Sequence, residues 1–271
     1  MSSLFDLTGQ VAVVTGSSQG IGRAIAERMA EHGARVVFSS RTLADCQACA
    51  DAVNARHGEE RAIAIACDVT DRSAIEALVA GTVDKWGRLD CAVGNALAPG
   101  SSTAWIEKID LDEFDASLSG NVTNNVLLAK LAVPHMKRQG GGNIMFVSSS
   151  SGIAALEDFP AYGTVKAALN HLTKILAIQL GPLNIRVNSI APGIVDTSGP
   201  SKERRFATKD TPLGRPAVPD EIAACAVWLA SAGGAYATGS VVVVDGGQSL
   251  KGMTGPHDLR VFMRNGGVVP D

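Results

Sequence analysis

Three side chains in the middle of the chain have the types and the spacing of a proton-transfer centre. Tyr162 and Lys166 are four residues apart, so they share one face if the segment is helical. A free tyrosine has a pKa of ~10 and is a poor base at neutral pH unless positive charge, here from Lys166, favours the phenolate. Ser149 precedes Tyr162 by thirteen residues, and its hydroxyl can stabilise an oxygen that gains negative charge. The set predicts acid–base chemistry at a carbonyl or alcohol oxygen.

A glycine-rich segment near the start of the chain has the pattern of a phosphate-binding turn. It follows the apolar run Val11–Val14 and leads into an amphipathic stretch. A strand, a glycine-rich turn and a helix together present free backbone N–H groups and a positive helix end to a pyrophosphate. The residues predicted to contact a nucleotide cofactor here are Gly16, Ser18, Gln19, Gly20, Ile21 and Gly22. Joined with the acid–base residues, this turn predicts a nucleotide-dependent redox enzyme.

The order of apolar and amphipathic segments indicates which elements position these groups. Short apolar runs alternate with longer amphipathic runs, which predicts an α/β, Rossmann-type doubly wound fold with a seven-stranded parallel sheet and helices on both faces. The predicted strands are Val11–Val14, Val36–Ser39, Ala62–Cys67, Leu89–Val93, Asn143–Val147, Arg186–Ile190 and Val241–Val244. The predicted helices are Ile21–His32, Leu43–Arg56, Ser73–Trp86, Leu111–Arg138, Ala161–Leu180 and Glu221–Ala230. We expect one domain over residues 1–271.

Composition and charge exclude several classes of partner. The formal net charge is −3, and Lys and Arg are scattered, so neither nucleic acid nor an acidic membrane surface is an expected partner. The first residues have no basic and apolar leader pattern, and no run is long enough to span a bilayer. We expect a cytoplasmic protein that acts on a small molecule.

The cysteines and histidines indicate neither a disulfide framework nor a metal site. Five cysteines at irregular spacing suit a reducing compartment. Cys46 and Cys49 form a C-x-x-C pattern, but they fall inside a predicted helix, where no helix N-terminus lowers a thiol pKa. The five histidines are dispersed without ligand spacing, so no metal is expected.

The glycine-rich turn also matches the nucleophile motif of a different class of enzyme. Gly16-Ser17-Ser18-Gln19-Gly20 satisfies G-x-S-x-G, which would make Ser18 a hydrolase nucleophile. That fold needs several strands and an oxyanion loop before the serine, whereas this motif follows the first predicted strand. A serine hydrolase is therefore a remote alternative, as is a nucleotide-binding scaffold without turnover.

Over nearly its whole length the chain resembles the short-chain dehydrogenase/reductase family, in the branch of about 250 residues. The resemblance rests on separated motifs in the family's order: Thr15-Gly16-x-x-x-Gly20-Ile21-Gly22, Asp68-Val69, Gly94-Asn95-Ala96-Leu97, Asn121, Ser149, Tyr162-x-x-x-Lys166 and Pro192-Gly193. The third of these departs from the family's Asn-Asn-Ala-Gly at its first and last positions. If the missing amide leaves a buried backbone group unpaired, the cost is about 1–3 kcal/mol, so we expect another group to substitute for it.

The resemblance implies a role for each matching residue. Tyr162 would exchange a proton with the substrate oxygen that Ser149 holds, Lys166 would bind the nicotinamide ribose, and Asn121 would help to pass protons to Lys166 through its backbone and a water. The further cofactor contacts that the resemblance implies are Asp68, Val69, Asn95, Tyr162, Lys166, Pro192, Gly193, Val195 and Thr197. It also implies a homotetramer.

The choice between the two nicotinamide cofactors depends on one short window. NAD sites usually carry an acidic residue about twenty residues beyond the glycine turn, where it accepts hydrogen bonds from the ribose 2′-hydroxyl. This window reads Ser39-Ser40-Arg41-Thr42. Because Arg41 can pair with a 2′-phosphate, we predict NADP(H) over NAD(H). The alternative, in which Arg41 is a solvated residue, leaves NAD as the cofactor.

The sequence leaves two substrate classes open. Segments 96–108 and 197–219 break the alternating pattern and are candidates for substrate contact, the second as a lid, while residues 252–271 form a C-terminal extension. Cyclic, sugar or steroid alcohols and ketones are one substrate class. A 3-oxoacyl thioester is another, favoured by the cluster Lys202, Arg204, Arg205 and Lys209.

Overall fold

The computed structural model of the chain describes residues 4–100, 104–156, 159–197 and 211–251. Seven parallel strands form one sheet in the order β3-β2-β1-β4-β5-β6-β7. The strands are β1 (Val11–Thr15), β2 (Arg35–Ser40), β3 (Ala62–Ala66), β4 (Cys91–Gly94), β5 (Gly142–Val147), β6 (Ile185–Pro192) and β7 (Val241–Val244). The helices are α1 (Gly20–Glu31), α2 (Leu43–His57), α3 (Arg72–Trp86), α4 (Leu111–Leu118), α5 (Asn124–Arg138), α6 (Pro160–Leu180) and α7 (Pro219–Ala230). The predicted doubly wound sheet is confirmed.

The central strands are apolar throughout because helices cover both faces of the sheet. Every residue of β1 is buried. Successive side chains of a strand point to opposite faces, and accordingly Val14 belongs to one hydrophobic cluster and Val13 to the other. The first cluster includes residues of α1, α2 and α7, and the second includes residues of α3, α5 and α6. These two cores hold the sheet in a fixed position beneath the loops that follow the strands.

The strand order reverses between β1 and β4, and this is where a doubly wound sheet opens a crevice. The two strands are joined there by a side chain as well as by their ladder. The Thr15 hydroxyl accepts hydrogen bonds from the backbone N–H groups of Asn95 at 3.0 Å and Ala96 at 3.1 Å. The glycine-rich turn after β1 and the loop after β4 are therefore held side by side.

The long helix predicted over Leu111–Arg138 is wrong in one respect, because a π-helical turn at Ser119–Thr123 interrupts it. In this turn the N–H of Asn124 donates to the carbonyl of Ser119, five residues back rather than four. Asparagine side chains compete for backbone groups around the turn, which an apolar periodicity does not reveal. The interruption places Asn121 in the π turn, at the edge of the crevice.

Smaller differences lie at element ends. Strand β4 begins at Cys91 rather than Leu89, and β6 runs on to Pro192. Helix α7 begins at Pro219, two residues before the predicted start, because proline suits a first helical turn and the Glu221 carboxylate accepts from the N–H of Val218 at 2.9 Å.

Some sequence predictions fall outside the described residues. Positions 198–210 of the predicted lid and the predicted extension 252–271 lie outside the residues that the structure describes.

Among the helices that the structure describes, none has both the length and the apolar character that a bilayer span requires. In the same residues, no group of three or more His, Cys, Asp and Glu side chains is arranged to hold a metal ion.

Candidate active site

A cleft of about 840 Å³ opens at the carboxyl ends of β1, β2, β3 and β4. Its walls come from the glycine turn and from the loops after the other three strands. The predicted cofactor contacts that line it are Gly16, Ser18, Gln19, Gly20, Ile21, Gly22, Arg41, Asp68, Val69, Asn95 and Thr197. Lining residues that were not predicted as cofactor contacts are Ser40, Cys67, Thr70, Ala96, Leu97, Ala98 and Pro99.

The glycine turn leaves no room for a side chain at Gly22. A Cβ added there would overlap the carbonyl oxygen of Gly16 and the side-chain amide of Asn95. That amide donates to the carbonyls of Thr15 at 2.9 Å and Gly16 at 3.1 Å. Asn95 thus holds the turn against the amino end of α1. Bare backbone at a helix N-terminus is the donor set that binds a pyrophosphate, so these residues fit a dinucleotide.

The far end of the cleft carries a cation and lacks an acid where an NAD site would have one. Arg41 is exposed and lines the cleft beside Ser40. Asp68 lies on the same wall, where hydrogen bonds from the backbone and hydroxyl of Thr70 hold its pKa below the ordinary value, with a smaller contribution from the charge of Arg41. This end of the cleft can therefore receive an anionic group beside Arg41.

Ser149 lies at the carboxyl end of β5, where the strand turns into a short 3-10 helix over Ser150–Gly152. Its hydroxyl accepts from the N–H of Ser151 at 3.1 Å and is 3.3 Å from the Ser151 hydroxyl. The preceding residue, Ser148, donates to the carbonyl of Lys166 at 3.0 Å. The serine run is thus fixed against α6.

Lys166 is buried, with 5% of its surface exposed. Its Nζ donates to the carbonyl of Val147, the last residue of β5, at 2.8 Å. Burial lowers the pKa of this ammonium to about 8. Burial disfavours the charged form of this amine, so its pKa lies close to neutral pH, where the group can both release and take up a proton.

Tyr162 is half-buried, one helical turn before Lys166 on α6. The Lys166 Nζ lies 5.5 Å from the centroid of its ring, and Phe159 packs edge-on against it with centroids 6.2 Å apart. Burial raises the pKa of the phenol, and the nearby Ser149 hydroxyl partly offsets that rise. The sequence predicted a pKa lowered by Lys166, whereas burial of the phenol has the larger effect here.

Asn121 lies in the π turn and connects it to the loop after β4. Its side-chain oxygen accepts from the N–H of Ala98 at 2.8 Å, and its amide donates to the carbonyl of Ser117 at 3.0 Å. Because the side chain is committed to these groups, the backbone carbonyl is the part of Asn121 that remains for a proton path. That carbonyl accepts from the Asn125 amide at 2.6 Å.

Gly94, where the family motif has its first asparagine, is filled from another element. A Cβ at this position would overlap the Oδ1 atom of Asn125 and lie 3.2 Å from Phe146. The space left by the missing side chain is therefore filled by a side chain of α5. The neighbouring Asn124 donates to the carbonyl of Val69. Asn124 and Asn125 could have been noticed in the sequence, because they are two adjacent polar residues inside a segment predicted to be an amphipathic helix.

The remaining predicted contacts lie at the end of β6. Pro192 is paired with Val244 of β7, and the N–H of Gly193 donates to the Val244 carbonyl at 3.1 Å. Val195 forms an isolated parallel bridge with Ala217. None of these three lines the cleft described above, while Thr197 does.

The thiols of the C-x-x-C pattern lie behind the cleft. Cys46 donates to the Ser40 hydroxyl at 3.1 Å and Cys49 to the Ser18 carbonyl at 3.6 Å. Burial raises the pKa of both thiols, and both are free. Raised pKa values describe inert, packed cysteines rather than a redox pair.

The fold and the site together define an oxidoreductase with a Rossmann-type nicotinamide-cofactor cleft. The family model described as "Enoyl-(Acyl carrier protein) reductase" matches residues 16–249. Trans-4-hydroxycyclohexanecarboxylate dehydrogenase of Sinomonas cyclohexanicum is 36% identical over 256 residues, which cover 92% of this chain and 96% of that protein. The chain belongs to the short-chain dehydrogenase/reductase family and is an NAD(P)-dependent enzyme.

Two solved structures are similar over most of their length. A short-chain dehydrogenase/reductase from Mycobacterium marinum has a TM-score of 0.82 and 38% identity, covering 90% of this chain and 96% of that one. A 7α-hydroxysteroid dehydrogenase in complex with NADH and 7-oxo glycochenodeoxycholic acid has a TM-score of 0.84 and 31% identity, with the same coverage.

Proposed function

We propose that the protein is an NADP(H)-dependent oxidoreductase that reduces a carbonyl to a secondary alcohol, or catalyses the reverse, with Tyr162 as general acid and base. The observation that supports this most directly is the convergence of Ser149, Tyr162 and Lys166 where β5 meets α6. The Ser149 hydroxyl influences the pKa of the phenol, and the Lys166 Nζ lies 5.5 Å from the centroid of the Tyr162 ring.

Each residue has a separate task. Tyr162 gives its proton to the substrate oxygen during reduction, and Ser149 holds that oxygen and stabilises the negative charge that develops on it. Lys166 restores the proton to Tyr162, and the Asn121 carbonyl would hold a water that connects this path to solvent. Gly16, Gly20, Gly22 and Arg41 hold the nicotinamide cofactor, which supplies or accepts hydride when bound.

NADP(H) is favoured over NAD(H) by the position of Arg41. It is exposed at the cleft wall, and no hydrogen bond or ion pair engages its guanidinium within the described part of the chain. A planar guanidinium suits a phosphate dianion. The alternative is NAD, which the similar 7α-hydroxysteroid dehydrogenase binds in its complex.

The substrate class that we propose is a secondary alcohol or its ketone. Relatives whose names state a cyclic hydroxy acid or a steroid support cyclic or steroid substrates. The description of the matching family model keeps an acyl-thioester substrate as the second candidate. Within this proposal residues 1–271 act as one domain, residues 197–219 include a lid, and the protein is a cytoplasmic homotetramer.

A parallel titration with NADPH and NADH, followed by nucleotide fluorescence, tests the cofactor, and a panel of ketones and alcohols then tests the reaction. Tight binding of NADPH and weak binding of NADH is the expected result. The reverse preference would remove Arg41 from its role and direct the panel toward alcohol oxidation. Binding of neither nucleotide would contradict the proposed function and favour a scaffold or a hydrolase that uses Ser18.

A further inference from the structure

Asn125 contacts the sheet at a position that has no side chain of its own. Gly94 is the last residue of β4, and Asn125 is buried in the first turn of α5. The Oδ1 atom of Asn125 occupies the space in which a Gly94 side chain would begin. Position 94 therefore accepts glycine because position 125 is asparagine, and the two residues are sterically complementary.

The other end of the same amide reaches the π turn. The Nδ2 atom of Asn125 donates to the carbonyl of Asn121 at 2.6 Å. This bond engages one of the two lone pairs of the carbonyl oxygen and orients the carbonyl. One buried side chain thus connects the end of β4 with the backbone group of Asn121 that the proposed proton path uses.

A second side-chain hydrogen bond, from the residue that follows the π turn, also connects this region to a strand end. The side chain of Asn124 donates to the carbonyl of Val69, in the loop after β3 that lines the cofactor cleft. Two adjacent asparagines therefore anchor the π turn to the loops or ends of two different strands. Such a turn is held from outside by side chains, because its own backbone pairing is irregular.

We propose that Asn125 is a positioning residue for the reaction: together with Gly94 it takes the place of the asparagine missing from β4, and it fixes the Asn121 carbonyl, which would hold a water on the proton path to Lys166. This inference rests on the proposed function, and it adds a specific pair to it. Asn125 touches neither the cleft nor the three acid–base side chains, so its effect passes through Asn121.

The experiment compares Asn125→Ala, Gly94→Ala and the double variant with wild type, using NADPH and the best carbonyl substrate of the panel. Asn125→Ala should lower kcat about tenfold, leave KM for both substrates within threefold, and increase the solvent deuterium isotope effect on kcat. Gly94→Ala should lower kcat and Tm in the wild-type background. In the Asn125→Ala background, Gly94→Ala should change kcat and Tm by less than a third of the change that it causes in wild type.

The matched control is Asn54→Ala. Asn54 also ties a helix to backbone, donating to the carbonyl of Ala62 at 2.9 Å, but it lies between α2 and β3. Asn54→Ala should lower Tm without changing the isotope effect.

Two results would overturn the proposal. Independent effects of Gly94→Ala and Asn125→Ala on Tm would overturn the pairing. A kcat for Asn125→Ala within twofold of wild type, or an unchanged isotope effect, would overturn the positioning role. Absence of turnover in wild type contradicts the proposed function instead, and the Tm comparison still decides the pairing.

Discussion

The Nζ atom of Lys166 lies 5.5 Å from the centre of the Tyr162 ring, and both side chains project from α6 toward the end of β5. The ammonium also donates to the Val147 carbonyl at 2.8 Å, so its position is fixed by the sheet rather than by the helix alone. The ammonium is therefore held beside the phenol that we propose as the proton donor.

Tyr162→Phe should lower kcat by about 10²–10⁴-fold, because the proton donor is removed while the ring and its packing remain. The dissociation constant for NADPH should change less than threefold, since the glycine turn and Arg41 are untouched. Steady-state turnover and nucleotide fluorescence measure the two effects. The matched control is Tyr236→Phe, at the chain's second tyrosine, which is fully exposed. Equal turnover in the two variants would remove Tyr162 from its proposed role.

Arg41→Ala should weaken NADPH binding by about 10–100-fold, the loss expected when hydrogen bonds to a charged group disappear. Affinity for NADH should stay within twofold, because NADH has no 2′-phosphate. Arg56→Ala is the control, since Arg56 is an exposed cation that pairs with Glu31 at 2.6 Å and does not line the cleft. If both nucleotides lose affinity equally, Arg41 does not select between them.

Lys166→Met should make the free energy of unfolding less dependent on pH above about 8. Burial lowers the pKa of Lys166 from 10.5 to about 8, which corresponds to about 3 kcal/mol. Below pH 8 the folded protein carries the full cost of the buried ammonium, and this cost disappears as the pH rises to 10.5. Wild type should therefore gain stability relative to the variant across that window.

Urea unfolding of wild type, Lys166→Met and Lys174→Met at pH 7, 8.5 and 10 measures this gain. Lys174 lies on α6 and is exposed, so its variant should follow wild type at every pH. A difference between wild type and Lys166→Met that stays constant with pH would show that Lys166 titrates at the same pH in the folded and unfolded states.

Ile178→Glu should convert the proposed tetramer into smaller species. Ile178 is 80% exposed on α6, and Ile175 is exposed one turn earlier, an apolar face that favours contact with another subunit. Light scattering at micromolar concentration reports the mass. Leu43→Glu, at an exposed apolar residue of α2, is the control and should leave the mass unchanged. A monomeric wild type would contradict the tetramer directly.

The sheet could be predicted from the sequence because its strands are buried on both faces. Continuous apolar runs such as β1 follow from that burial, so strand positions were found to within a few residues. The glycine turn and the spacing of Tyr162 and Lys166 could also be predicted, because each is a pattern of residues close together in the sequence. The turn located one wall of the cleft, and the spacing located the proposed acid–base pair.

The remaining contacts join residues that are distant along the chain. Asn125 fills the space beside Gly94 of β4, which lies 31 residues earlier in the chain. A short-range sequence pattern cannot predict a steric match between residues so far apart. The π turn was missed because its apolar pattern differs little from that of a regular helix. Ser40 and Cys67 could have been found, since both lie at the carboxyl ends of parallel strands, where a doubly wound fold places its ligand.

The Thr15 hydroxyl, which accepts from the loop after β4, joins two halves of the sheet with separate duties. Arg41 and the glycine turn belong to one half, and Ser149 and α6 belong to the other. Under the roles proposed above, substitutions that change coenzyme preference would fall in one half of the sheet and leave the proton donor in the other half undisturbed. An engineer could likewise retune one half and keep the other, provided that residue 15 retains its hydroxyl.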